Sequence, residues 1–266
     1  MTKLLQQQMY RLNRYKPFAV LLIIAAVAPA VTVAFWEALM SVYESLTGSF
    51  VGDLFDGEIT YSVLTGIANT GSISDLLAII CSALFLREEF SSGTIRNALI
   101  SGKSRTATYF AYFFVSLIIG AIFKMAQFAV GVTACSAACG FGDVSFFTIL
   151  TSCFITLVMG LINMCFAQSC VCMFVFVTKK TTPAVLLPLL VTYLLPSAIT
   201  TIVTLLSELG MVDISTLSWI PLFNMTLFDA SVIDGVLVAK ITMYVLPLSA
   251  LLIYLGHAYF RKADIR

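Results

Sequence analysis

Four polar residues interrupt long apolar runs, and one dense polar island separates two of those runs. These are the positions where the chain has chemistry to offer. Asp75, Lys124, Gln127 and Asn163 form the first set. A lone charge among apolar side chains is costly unless it is paired. Lys124 and Gln127 are three apart on one helical face, and Asp75 or Glu37 can supply the acid. The pair then serves either as interhelical structure or as part of a substrate path, with a lysine reaching outward to the surface as the plain alternative. The second set is the island at 87–105, REEFSSGTIRNALISGKSR. It contains Glu88, Glu89, Phe90, Gly93, Thr94, Ile95, Arg96, Leu99, Lys103 and Arg105. The spacing predicts a short helix over 92–101, capped by Ser91 or Ser92 and stopped at Gly102. Ile95 and Leu99 lie four apart and share an apolar face suited to docking on a partner.

No catalytic set accompanies them. The chain has a single histidine, so neither a clustered metal site nor a histidine-based triad is expected. Gly102-Lys103-Ser104 imitates the end of a phosphate-binding loop, but the glycine that must precede it falls at Asn97. The expectation is a chain that binds no cofactor itself, its energy coming from a partner or an ion gradient.

The elements that hold these residues are read from hydropathy. Sixty per cent of the chain is apolar and 11% charged, with a formal net charge of +1. That balance excludes an ordinary soluble domain and gives no basis for nucleic-acid binding. Crossing a bilayer takes roughly 20 apolar residues. Six runs qualify, at 18–40, 63–86, 108–138, 146–177, 183–207 and 236–260. The fold class is therefore all-α: one polytopic transmembrane domain over 1–266. The basic head and the run at 18–27 imitate a secretory signal, but the apolar run continues past Trp36, so this is read as a retained first span bent at Pro29.

Lys and Arg cluster in the N-terminal segment, the second and fourth loops and the tail. The other loops carry only acids, among them Glu44, Asp53, Asp143, Glu208 and Asp234. Both termini are thus expected in the cytoplasm. Residues 1–16 read as an interfacial helix, with Leu5, Met9 and Leu12 on lipid and Lys3, Arg11, Arg14 and Lys16 toward headgroups. The apolar stretch within 208–235 is too short to cross and reads as a re-entrant segment. At about 1.5 Å per residue, Asp75 and Lys124 lie roughly 18 and 25 Å from the cytoplasmic ends of their helices, within reach of one another. All seven cysteines fall inside spans, which argues against a disulfide framework.

Arg87-Glu88-Glu89-Phe90-Ser91-Ser92-Gly93-Thr94 after the second span resembles the R-E-[FY]-x-x-G-T element of type-2 ABC exporter permeases. That family includes the bacitracin-resistance, lantibiotic-immunity and sodium-export permeases. The interfacial helix, the re-entrant segment and the basic tail Phe260-Arg261-Lys262 follow the same order. The resemblance implies a membrane subunit paired with a second copy or a paralogue, seated on two cytoplasmic ATPase subunits that bind the ATP and magnesium. The island at 87–107 would then be the coupling loop, and the cargo hydrophobic or amphipathic, such as an antimicrobial peptide. Two other readings compete: an ion-coupled carrier acting alone, and a membrane scaffold.

Overall fold

A computed structural model of the chain describes residues 2–47, 71–139, 146–178, 180–209 and 235–262. Residues 48–70, which hold most of the first outer loop and the start of the second apolar run, most of the re-entrant region 208–235 and the last four residues of the tail lie outside the described residues, as do the side chains of Glu37, Cys139 and Lys240. Every element described is helical. In chain order they are α1 (Thr2–Asn13), α2 (Lys16–Thr47), α3 (Gly71–Ser91), α4 (Thr94–Ile100), α5 (Arg105–Cys139), α6 (Phe146–Thr178), α7 (Thr181–Leu189), α8 (Leu195–Glu208) and α9 (Gly235–Lys262).

Among the described residues, five stretches are long and apolar enough to cross a membrane: Lys16–Phe35, Arg105–Ala137, Cys153–Thr178, Thr181–Glu208 and Thr242–Lys262. Helix α3 carries Asp75 at one end and Arg87, Glu88 and Glu89 at the other, and it does not join that set. Helix α2 runs on through Pro29.

Helix α5 is the centre of the bundle, packing on α1, α2, α3, α4, α6 and α9, while α6 makes its most extensive contact with α9. Tyr109, Tyr112, Ile119 and Phe123 of α5 are fully buried, whereas Val20, Ile23 and Val27 of α2 and Ile202 and Leu205 of α8 are exposed. An apolar exterior is stable in hydrocarbon, where close packing and hydrogen bonds, rather than water exclusion, hold helices together. Between α7 and α8 the chain makes a π-helical turn, Leu190–Leu194. Its cause is local: Pro196 has no N–H to give to the carbonyl of Thr192, so the ladder slips by one residue.

One end of the bundle is tied by aromatic rings. Phe176 of α6 has Phe90 at 5.0 Å, Tyr109 at 5.0 Å and Phe260 at 4.8 Å between ring centroids. Edge and tilted contacts of this kind favour fixed angles between elements. They clamp α3, α5, α6 and α9 together beside α4.

Candidate functional site

Helix α4 starts where α3 is forced to stop. Gly93 takes φ 71°, in the left-handed region. Gly93 N donates to Phe90 O at 3.2 Å and Ser92 N to Glu88 O at 2.9 Å, which closes α3. Ser91 and Ser92 do not cap α4 as expected. Their hydroxyls turn back to the carbonyls of Glu88 and Glu89, and α4 has no side-chain cap. The other end follows the sequence reading: Gly102 has φ 83°, and Lys103 N reaches Ala98 O at 3.2 Å.

Ile95 and Leu99 do share a face, but that face turns inward. Ile95 is 1% exposed, and Leu99 packs against the same core. The surface expected to carry them instead presents Arg96, Asn97 and Ile100, with Ile100 73% exposed. The reason is physical: the bundle beneath α4 is apolar, and a two-turn helix on short connections buries its apolar stripe there.

A hydrogen-bonded chain fixes α4 from the side. Arg11 Nη1 of α1 donates to Glu89 Oε2 at 2.8 Å and to Thr94 Oγ1 at 2.6 Å. Tyr112 OH of α5 donates to the same Glu89 oxygen at 3.1 Å, and Gln8 Nε2 donates to Tyr112 OH at 2.8 Å. Glu89 is buried and Glu88 exposed. The structure therefore distinguishes two neighbours that look alike in sequence. Burial pushes the Glu89 carboxyl above its ordinary value, and the Arg11 guanidinium and the hydrogen bond from Tyr112 pull the other way. Arg11 is thus turned inward rather than toward headgroups. Gln8 and Tyr112 were missed in the sequence. The one available signal is that Gln8 and Arg11 lie three apart, off the stripe of Leu5, Met9 and Leu12.

Of the remaining island residues, Lys103 is exposed. Arg105 Nη1 instead donates to Phe260 O at 3.4 Å and Arg261 O at 3.1 Å, closing the C-terminal end of α9. A cation there also meets the negative end of the helix dipole.

The second candidate set comes together inside the bundle. Lys124 Nζ lies 3.2 Å from Asp75 Oδ1 and 3.3 Å from Oδ2, with both side chains largely buried. Ser74 Oγ donates to Gln127 Oε1 beside them. Gly160 of α6 makes room for the lysine: a Cβ there would sit 2.5 Å from Lys124 Cε. Gly160→Leu is accordingly expected to displace the lysine and lower the melting temperature. Asn163 is 7% exposed, and its Oδ1 has no hydrogen-bond partner among the described residues. Among the described residues no three His, Cys, Asp or Glu side chains gather into a metal site.

The geometry is that of a helical membrane bundle with a capped surface helix wired to its base. Comparison with known families agrees. A family model described as ABC-2 family transporter protein matches residues 4–196, from α1 into α8. No curated protein matches the chain. Members of the family are transport components of the membrane, not themselves catalytic, and normally work with an ATPase subunit. With well over half its length matched, the chain belongs to the ABC-2 transporter family.

Proposed function

We propose that this chain is the membrane-spanning permease subunit of an ATP-driven exporter of the bacitracin-resistance or lantibiotic-immunity kind. It crosses the cell membrane six times, with α3 as the second span and both termini in the cytoplasm. It pairs with a second copy or a paralogue over two ATPase subunits, which bind the ATP and magnesium. Its cargo is a hydrophobic or amphipathic molecule moved outward.

The observation that carries this reading is the exposed face of α4: Arg96, Asn97 and Ile100 outward, Ile95 buried beneath, and Arg11 pinning its first residue. An exposed isoleucine between polar neighbours suits an apolar groove, and the backing makes α4 a rigid lever. Lys103, Lys180, Arg261 and Lys262 are exposed as well, and Lys and Arg stay on the cytoplasmic side.

Burying one isoleucine on docking contributes about 2 kcal/mol, roughly a 30-fold effect on affinity. Ile100→Asp and Arg96→Glu should therefore strip the partner ATPase from the purified complex, with the membrane chain still folded. Undiminished ATPase recovery with both variants would sink the docking assignment.

The buried Lys124–Asp75 pair favours a second reading, an ion-coupled carrier acting alone. Proteoliposomes holding only this chain separate the two. Uptake driven by an imposed proton gradient supports the carrier, and transport that requires ATPase and ATP supports the permease.

A further inference from the structure

The start of α5 and the end of α9 are held side by side at one corner of the bundle. Arg105 Nη1 donates to the carbonyls of Phe260 and Arg261. His257 Nε2 and Thr106 Oγ1 lie 3.1 Å apart, and the His257 ring is 5.7 Å from the rings of Tyr109 and Phe110. Gly256 permits this approach, since a Cβ there would strike Tyr109 OH. The contact gathers three cations that are far apart in the sequence: Lys103, Arg261 and Lys262. All three are exposed, and none forms an ion pair among the described residues. Beyond them the sequence adds one acid, Asp264, and one base, Arg266, which leaves the charge balance unchanged.

Position narrows what neutralises them. Arg105 opens one membrane-crossing stretch and Lys262 closes another. The cations therefore stand where two spans leave the bilayer, at the level of the lipid phosphates. Basic pockets between spans on the cytoplasmic side suit lipid headgroups that carry more than one phosphate. The surface just inside the bilayer suits the rest of such a lipid. Phe114 lies one turn beyond Phe110 on the same face of α5, and Tyr254 lies three residues before His257 on α9. Both are exposed. A soluble acidic protein would leave that apolar rim uncovered. Charge sets the headgroup: three cations exceed what one phosphate neutralises.

We propose that the corner carrying Lys103, Arg261 and Lys262 binds the headgroup of a membrane lipid with two phosphates, its acyl chains lying along Phe114 and Tyr254. The site goes beyond the permease reading and does not depend on it. Arg105 ties α9 to α5 and so keeps the three cations within reach of one headgroup.

The test uses the full chain in detergent micelles and counts bound lipid by native mass spectrometry. Three probes are compared: cardiolipin with two phosphates, phosphatidylglycerol with one, and zwitterionic phosphatidylcholine. Each interfacial Lys or Arg strengthens attraction to an anionic lipid about fivefold. Cardiolipin should therefore bind at least tenfold more tightly than phosphatidylcholine, with phosphatidylglycerol between them. Lys103→Gln combined with Arg261→Gln and Lys262→Gln should cut cardiolipin binding tenfold or more and leave phosphatidylcholine unchanged. Arg14→Gln with Lys16→Gln removes two exposed cations at the start of α2, which packs on α1, α3 and α5, and should leave the preference intact. The substituted side chains are exposed, so the lipid-free melting temperature should hold. If the triple variant melts early, Lys103→Gln and Lys262→Gln are read singly, each with an expected loss of about fivefold. Equal binding of cardiolipin and phosphatidylcholine, an unchanged preference in the variants, or an equal loss in the Arg14 and Lys16 control overturns the proposal. Release of bound cardiolipin by millimolar pyrophosphate does the same, because it marks a site for soluble phosphates. So does a triple variant that keeps cardiolipin but loses the partner ATPase, because the corner is then a protein contact.

Discussion

Glu89→Leu is expected to lower stability by about 2–3 kcal/mol and to uncouple ATP hydrolysis from transport while the ATPase still binds. The stability figure follows from the groups left behind. Arg11 loses its 2.8 Å partner and Tyr112 OH its 3.1 Å acceptor, and hydrogen bonds to a charged group contribute about 1.5–3 kcal/mol each. Arg11 is 34% exposed and regains water, which keeps its share small. The functional loss is larger because Arg11 also holds Thr94, so α4 loses its lateral anchor while Arg96 and Ile100 remain free to dock. Thermal melting with ATPase activity measured at and without substrate reads both effects. If the residues act as one unit, Arg11→Met with Glu89→Leu should cost little more than Glu89→Leu alone; additive losses would mean that they act separately. The pH dependence has a definite sign. Because burial holds the folded-state carboxyl above its ordinary value, the folded chain binds the proton more readily than the unfolded one. Stability from this residue is present below the ordinary glutamate value and falls as pH rises through the raised one. Glu89→Gln should flatten that slope.

What was legible in the sequence was local or periodic. The apolar runs, the stop at Gly102 and the common face of Ile95 and Leu99 all follow from spacing within a single helix. The direction of that face does not, because it depends on whether the surface under α4 is more apolar than the partner it awaits. The serines were misread for a related reason: Gly93 takes the left-handed conformation, so Ser91 and Ser92 belong to the end of α3 and not to the start of α4. Asp75 and Lys124 could be matched by depth because two antiparallel helices rise at the same rate. Arg105 could not be assigned, since its partners lie 155 and 156 residues away and are backbone carbonyls that any sequence supplies. The Gln8–Tyr112–Glu89–Arg11 chain joins residues 78 and 104 apart, and no pattern on one helix announces it.

The Lys124–Asp75 pair yields the other large effect. Asp75→Asn leaves an ammonium that is 8% exposed without its counter-charge, and Lys124→Met leaves the carboxylate alone. Removing one member of a buried pair costs about 3–5 kcal/mol. Each single variant should therefore express poorly and fail to transport. Replacing both members separates structure from function. In Asp75→Leu with Lys124→Met no charge remains to be compensated, and buried pairs replaced by apolar residues of similar size are often neutral or stabilising. The double variant should fold at least as well as the natural chain by melting temperature. If the pair only joins α3 to α5, it should also transport; if the pair belongs to the cargo path, it should be stable and inactive. The exchanged pair, Asp75→Lys with Lys124→Asp, completes the test. Lysine from position 75 can reach an aspartate at 124, but the shorter side chain at 124 no longer fills the space against Gly160. Part of the stability should return, limited by that cavity. An exchanged protein as unstable as the single variants would show that the two charges do not stabilise one another.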